Sequence, residues 1–298
     1  MEKMKITFLG TGDAIPTRKR SHTAILCSFK DENILIDCGE GTQRQFKFAD
    51  IPATKITRIL ITHKHGDHIF GLPGLFQTLK NYNYQNVLNI YTPEKTRHTM
   101  LAIDEMTGNI PLKKEVHEVS GKFLEKKDFY ITAAPMSHII PANAYSIVLK
   151  DRIRLNKAKL KKFKLPNSPL IGDLQKGKDI TFNGKKIKAS QVAYIEKGKK
   201  ATFILDTETN ENAVKLAMNS DILVMESTFL DKDKEKAAEY KHMTAKQAAQ
   251  IAKKAKVKKL VLTHISQRYE NRLKEVEKEA RKVFKNTIIA KDFDVLEI

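Results

Sequence analysis

The sequence predicts an α/β layered fold, and three observations predict it. Short β-branched runs alternate with amphipathic segments through both halves of the chain. Polar residues able to hold a metal recur where those runs end, the place where layered α/β proteins gather ligands. The length of 298 residues allows a large buried core, and a hydrophobic content of 41 % excludes general disorder.

The elements follow in order. "MKITFLG" and "TAILCSF" read as strands, and "NILIDCG" is an apolar run closed by glycine. "GTQRQFKFA" predicts a helix. "TRILITH" predicts a buried strand ending at His63, and "LPGLFQTLKNY" a helix with Pro73 in its first turn. "APMSHIIPANAY" places His138 after another strand-like run. In the second half "KATFILD" predicts a strand ending at Asp206 and "NENAVKLAMN" a helix. "DILVMEST" predicts a strand, "TAKQAAQIAKKA" a helix, and "KKLVLTH" a strand ending at His264. "NRLKEVEKEARKVF" sets Leu273, Val276, Ala280, Val283 and Phe284 on one helical face. "TIIAKD" predicts a last strand. With no short-period repeat and no Ser/Gly linker, the chain reads as one domain over 1–298 with an insertion at 151–190.

Charge gives the insertion a role. Lys and Arg number 54 against 35 Asp and Glu, a net charge of +19. Such an excess suits a polyanionic partner, because each neutralised phosphate releases counterions. A lysine-rich surface bias would give the same total, so the distribution decides. Between Arg152 and Lys164, seven of thirteen residues are basic and none is acidic. They are Arg152, Arg154, Lys157, Lys159, Lys161, Lys162 and Lys164, with Phe163 among them. A run this dense is not expected to fold on itself as a compact core element. It predicts a protruding arm that meets phosphates.

Other function classes fall away. No apolar run reaches the ~18 residues of a membrane span, and the N-terminal stretch lacks a signal-peptide core and cleavage site. Cys27 and Cys38 sit in apolar runs and read as buried free thiols. A cytoplasmic location is expected.

The densest signal is "ITHKHGDHIFG". His63 and His65, two apart in an extended segment, point the same way. Gly66 allows a bend, so Asp67 and His68 can face a second point. That geometry suggests two metals, and imidazole with carboxylate suits Zn²⁺, with Mn²⁺ or Fe²⁺ as substitutes. His138, Asp206 and His264, at three other strand ends, are candidates to complete the shells. His98 and His117 lie in charged surroundings and read as surface residues.

His-x-His-x-Asp-His resembles the signature of the metallo-β-lactamase superfamily, which implies a four-layer αββα sandwich with metals at its edge. Further segments are similar to the motifs of the tRNase Z family, short form: "FLGTGDAIPTRKRSHTAIL", "LIDCGEGTQRQ", "THKHGDHIFGLPGL", "HIIPANAY", "DTE", "ESTF", "HMTAKQAA" and "LTHISQRY". The resemblance covers nearly the whole chain. It implies an endonuclease that cuts the 3′ trailer from precursor tRNA and works as a homodimer. By motif, His63, His65 and His138 would bind one zinc, and Asp67, His68 and His264 the other, bridged by Asp206. Asp67 would also act as general base. His242 would act near the leaving group, oriented by Glu226. Arg18, Lys19 and Arg20 would meet the acceptor end, and the basic insertion would clamp the tRNA. The family's Gly-Asp-Thr-Arg reads Leu205-Asp206-Thr207-Glu208 here, and the arm's Gly-Pro pair reads Ser168-Pro169. The segment after His138 lacks the family's usual glycines and has Ile139, Ile140, Asn143 and Ala144 instead. None of these changes removes a ligand. Two competing readings are a small-molecule phosphodiesterase or ester hydrolase of the same superfamily, and a catalytically inactive RNA-binding homologue.

Overall fold

A computed structural model describes residues 3–166 and 168–298; Met1, Glu2 and Asn167 (the last within the inserted arm) lie outside the described residues. Six strands come first: β1 (Lys5–Gly10), β2 (Ala24–Phe29), β3 (Glu32–Ile36), β4 (Arg58–Leu60), β5 (Leu88–Thr92) and β6 (Lys114–Glu118). Then follow β7 (Gly121–Glu125), β8 (Phe129–Met136) and β9 (Ala142–Leu149). The arm contributes β10 (Arg152–Leu155), β11 (Ile180–Phe182), β12 (Lys185–Ile187) and β13 (Ala193–Glu196). The chain returns with β14 (Lys200–Ile204), β15 (Ile222–Glu226), β16 (Leu260–Thr263), β17 (Thr287–Ile289) and β18 (Val295–Glu297).

Two seven-stranded sheets result, ordered β18-β1-β2-β3-β4-β5-β6 and β17-β16-β15-β14-β9-β8-β7. Each follows one rule. Three antiparallel pairings are succeeded by three parallel ones, from β3–β4 in the first sheet and from β14–β15 in the second. The parallel strands are joined through helices that cover the outer faces. Ile6, Phe8, Ile34, Tyr145, Phe203 and Val224 are buried between the sheets. Helices 42–48, 72–81 and 97–106 close a second core over the first sheet. Helices 211–217, 245–254 and 273–281 close a third over the other. This is the αββα sandwich that the sequence predicts.

Sequence patterns account for the outer helices. Thr244 caps helix 245–254 through a capping box with Gln247, and Ala245, Ala248, Ala249 and Ala252 let it lie flat on the sheet, fully buried. Val276 and Ala280 of the last helix are buried, and Leu273, Val283 and Phe284 pack half-buried beside them. Only 273–281 is α-helical there; 267–272 winds as a 3-10 turn. Cys27 and Cys38 are buried free thiols, and burial pushes both thiols up out of reach of ionisation. His98 is exposed, whereas His117 is half-buried and stacks on Tyr91 at 5.1 Å.

The arm differs from the sequence expectation in two ways. It runs to Glu196, because β10 pairs antiparallel with β13 over Arg152↔Glu196 to Leu155↔Ala193. It also has a core of its own: Leu174, Ile180, Ile187, Ala189 and Val192 are buried, with Leu155, Leu160, Phe163 and Leu165 packed against them. The basic run carries an apolar residue every two to five positions, and these outweigh the repulsion of charges that remain in water. Helix 157–162, capped by the Asn156 side chain on Lys159 N at 3.1 Å, displays its lysines outward. Ser168-Pro169 opens helix 169–175, with proline in its first turn. No helix among the described residues is long and apolar enough to cross a membrane.

Candidate metal centre and catalytic cleft

The parallel strands of both sheets end at one edge of the sandwich, and the chemistry-bearing side chains follow their C-termini. Asp37 follows β3, His63 and His65 follow β4, Asp206 follows β14, Glu226 ends β15 and His264 follows β16. Asp67 and His68 sit on the short helix 66–69. The bend there comes from the passage of His65 (φ −65°, ψ 150°) into that helix, so Gly66 needs no left-handed backbone. Its lack of a side chain serves space instead: a Cβ would lie 2.4 Å from the Phe70 ring.

Two groups of ligand-type atoms form on either side of Asp206. Asp206 Oδ2 lies 3.4 Å from His63 Nε2 and 4.0 Å from His138 Nε2. His65 Nδ1 approaches those same two nitrogens at 3.0 and 3.3 Å. Asp206 Oδ1 lies 3.5 Å from His68 Nε2 and 3.2 Å from His264 Nε2, and Asp67 Oδ2 approaches the same pair at 3.2 and 3.5 Å. So one carboxylate turns one oxygen to each group.

The outward nitrogens of four imidazoles are spoken for. His68 Nδ1 meets Asp37 Oδ2 at 2.6 Å. Thr62 Oγ1 donates to Asp37 and therefore accepts from His63 Nδ1 at 3.1 Å. Thr228 Oγ1 donates to Glu226 and accepts from His264 Nδ1 at 2.9 Å. His138 Nδ1 donates to the Lys241 carbonyl at 3.2 Å. Each bond fixes the proton on Nδ1 and leaves the Nε2 lone pair facing inward, the tautomer a metal ligand requires. His68 Nε2 and Asp206 Oδ1 are buried with no hydrogen-bond partner among the described residues. A buried pair of that kind is costly unless a cation sits between them. The donor set therefore fits a divalent metal. Asp37, His264 and Lys241 hold left-handed backbone (φ 56°, 54° and 52°), a local strain that these positions of the centre carry.

Electrostatics agree. Burial, reinforced by the neighbouring imidazoles, holds His63 well below its ordinary pKa. Burial also opposes charge on His68, but Asp206, Asp37 and Asp67 raise it well above the ordinary value. For Asp206 and Asp67, burial pulls upward and is overcome by the surrounding histidines, which hold both carboxyls far below the usual range.

A third group, Glu226 with His242 and His264, also lies close enough to hold an ion. Its chemistry points elsewhere. Glu226 is fully buried and already accepts from His242 Nδ1 (3.0 Å), Thr207 N (2.7 Å), Thr228 Oγ1 (2.7 Å) and Met243 N (3.1 Å). Against the cost of burial, Glu226 and then Asp206 lift the His242 pKa to about 9. The pair is an imidazole oriented by Glu226 beside the centre, with its Nε2 3.9 Å from Asp206.

The centre opens into a cleft of about 910 Å³ whose walls include Asp13, Ile15, Ile139, Lys236, Tyr240 and Arg268. Arg18 and Lys19 are exposed on the adjoining loop. Arg20 is a correction: it is only 3 % exposed. Its guanidinium donates to Thr11 Oγ1 (2.7 Å) and the Ala290 carbonyl (2.8 Å) and pairs with Glu270 at 3.6 Å. Those bonds brace the loop against the C-terminal segment and leave nothing to face RNA. On the arm, Lys157, Lys159, Lys161, Lys162 and Lys164 are exposed. Arg152 and Arg154 are instead tied at its base, to Asp128 (3.4 Å) and Glu196 (2.7 Å). Glu208 is bonded by the Ser137 hydroxyl and faces Lys241 at 3.6 Å.

Comparison with known proteins now gives the family. A model described as anti-Pycsar protein Apyc1 matches residues 4–157, and one described as a β-lactamase superfamily domain matches 176–265. Similarity to ribonuclease Z proteins runs through both spans and the arm between them. The chain is 38 % identical to the ribonuclease Z of Nanoarchaeum equitans, covering 98 % of this chain and 92 % of that one. It is 41 % identical to that of Picosynechococcus sp. (97 % and 95 %). It is 39 % identical to that of Methanothermobacter thermautotrophicus (99 % and 97 %).

The chain belongs to the ribonuclease Z family.

The crystal structure of human tRNase Z, short form, superposes with a TM-score of 0.71 at 27 % identity, covering 98 % of both chains. The metallo-β-lactamase fold protein YhfI from Bacillus subtilis superposes at 0.73 over both whole chains, and at 20 % identity shares the fold alone. Ribonuclease Z proteins are metal-dependent endoribonucleases of the metallo-β-lactamase superfamily. Asp37, Thr62, Thr228 and the Lys241 carbonyl escaped the sequence reading. Of these only Asp37 left a trace, as a carboxylate closing an apolar run.

Proposed function

We propose that this chain removes the 3′ trailer from precursor tRNA, leaving a 3′-hydroxyl on the tRNA and a 5′-phosphate on the trailer. The observation that carries the reading is the division of Asp206 between two inward-facing histidine groups, in a ribonuclease Z chain bearing a lysine-rich arm. His63, His65 and His138 would hold one Zn²⁺ and Asp67, His68 and His264 a second, with Asp206 shared and Mn²⁺ or Fe²⁺ as substitutes. When bound, such ions lower the pKa of water and neutralise phosphoryl charge.

The protein's own groups supply the rest. Asp67, ionised beside His68 and His264, would accept a proton from the attacking water. His242, held protonated by Glu226, can give its Nε2 proton to the departing 3′-oxygen. Arg18 and Lys19 would meet the acceptor end, and Lys157, Lys159, Lys161, Lys162 and Lys164 the phosphates of the tRNA body, reading shape rather than sequence. An arm with a core of its own suits a homodimer in which it would hold tRNA for the partner's site, and the enzyme would act in the cytoplasm.

The test is incubation with a 3′-extended pre-tRNA, with and without chelator, mapping the cut and its end groups. A chelator-sensitive cut at the trailer junction with the stated ends supports the reading. Faster hydrolysis of small diesters with no cut at the junction would overturn it.

A further inference from the structure

The cleft wall holds an aromatic side chain that nothing in the fold uses. Tyr240 is 49 % exposed at the cleft. Among the described residues its hydroxyl makes no hydrogen bond and its ring meets no other aromatic ring or cation. Its backbone, by contrast, is fixed. Tyr240 N bonds to Lys236 O at 3.1 Å at the end of helix 234–239. Lys241 then takes left-handed backbone (φ 52°), and His242 N returns to Ala237 O at 2.8 Å. The Lys241 carbonyl is the acceptor that orients His138. The turn that presents the Tyr240 ring is therefore the turn that sets His242 and His138. Two more large apolar side chains stand exposed at the same cleft, Ile15 at 52 % and Ile139 at 58 %. Lys236 and Arg268 supply positive charge beside them.

We propose that Tyr240 is the stacking platform for the base of the last retained nucleotide, with Ile139 and Ile15 closing the slot around it. The inference rests on the tRNA reading above. The departing oxygen belongs to the ribose of that nucleotide, and His242 is the group placed to protonate it. The base on the same ribose then comes within reach of the side chain two residues earlier in the same turn. A nucleotide beyond the end of a stem has no pairing partner, and an unpaired base is readily laid on an aromatic face. Lys236 and Arg268 suit its phosphates. Stacking accepts every base, so the platform gives a graded preference for purines rather than a strict sequence rule. It holds the 3′-oxygen in register with His242, which a small diester substrate would not need.

The experiment is a double-mutant cycle read in single-turnover kcat/KM on the holoenzyme. Wild type, Tyr240→Phe and Tyr240→Ala cleave a 3′-extended pre-tRNA carrying either adenosine or an abasic ribose at the last retained position. Base–aromatic stacking is worth roughly five- to 150-fold per base. Removing the base should therefore slow the wild type about tenfold or more, and Tyr240→Ala should slow the normal substrate to a similar degree. The two losses should not multiply, and Tyr240→Phe should stay within about twofold of wild type on both substrates, because stacking needs only the ring. Losses that multiply would show Tyr240 acting through the turn rather than on the base, and would overturn the proposal. So would a Phe variant as slow as the Ala variant. Failure of the wild type to cut the normal substrate at the trailer junction would overturn the tRNA reading along with it; a cut without coupling overturns this inference alone.

Discussion

Replacing Glu226 by glutamine should change the pH dependence of cleavage more than its maximum. The substitution keeps the size of a fully buried side chain but removes the charge that holds the His242 proton. His242 is lifted from 6.5 to about 9, against the pull of burial, chiefly by Glu226. If the whole lift were lost, the protonated fraction at pH 8 would fall from about 0.9 to about 0.03, a loss of up to ~30-fold in a reaction limited by that proton. At pH 6 the loss from this cause would be less than about twofold. The amide also turns an N–H toward donors such as Thr207 N or Met243 N, a stability cost of roughly 1–3 kcal/mol. Single-turnover cleavage of a pre-tRNA between pH 6 and 9.5, with metal content measured on the same samples, separates the two effects. The alkaline limb should move to lower pH in the variant. An equal loss at every pH, or an unmoved limb, would refute the proton-donor role of His242 and leave Glu226 as a purely structural carboxylate.

Three further outcomes follow from the geometry. Joining Asp151 to Lys197 through a short Gly-Ser turn, which removes β10 to β13 with their core, should abolish pre-tRNA binding while bis-nitrophenyl phosphate is still hydrolysed. In the intact arm, replacing Lys157, Lys159, Lys161, Lys162 and Lys164 together by alanine should flatten the slope of log affinity against log salt by about four to five if each meets one phosphate; loss of both activities in a folded deletion variant would refute the division of labour. Asp37→Asn, which turns an amide toward His68 Nδ1 or Thr62, should weaken metal binding about 10- to 100-fold by competition with a chelator, and unchanged affinity would remove Asp37 from the centre. Arg20→Met should lower stability by roughly 2–5 kcal/mol in denaturant titration, because it strips Glu270 and Asp292 of their buried partner, whereas Arg18→Ala and Lys19→Ala should raise KM without that loss. The reverse pattern would return Arg20 to the RNA-facing set.

Much of this was legible in the residues themselves. Period and turn chemistry are local properties, so the strands ending at His63, Asp206 and His264, and the helices 72–81 and 245–254, could be read directly. The tight spacing from His63 to His68 marked a metal centre because four donors on one turn have few other uses. The strand β18 was not legible: its three residues show no distinctive pattern, and only pairing with β1 makes them a strand. The arm was misjudged in part, because charge is obvious in a list of residues and the burial of Leu174, Ile180 and Ile187 against one another is not.

What the sequence determined by itself is the layered fold, the candidate ligands and the basic arm, since composition and periodicity act over a few neighbours. Tertiary structure alone decided which atom of each ligand faces inward. Asp37 and His68 are 31 residues apart, and Thr228 and His264 are 36 apart; only the packing of parallel strand ends at one edge brings such partners together. The same long-range packing took Arg20 out of solvent and left Tyr240 in it. An arginine and a tyrosine carry no mark of burial in their own identity; burial depends on which distant segment arrives to cover them.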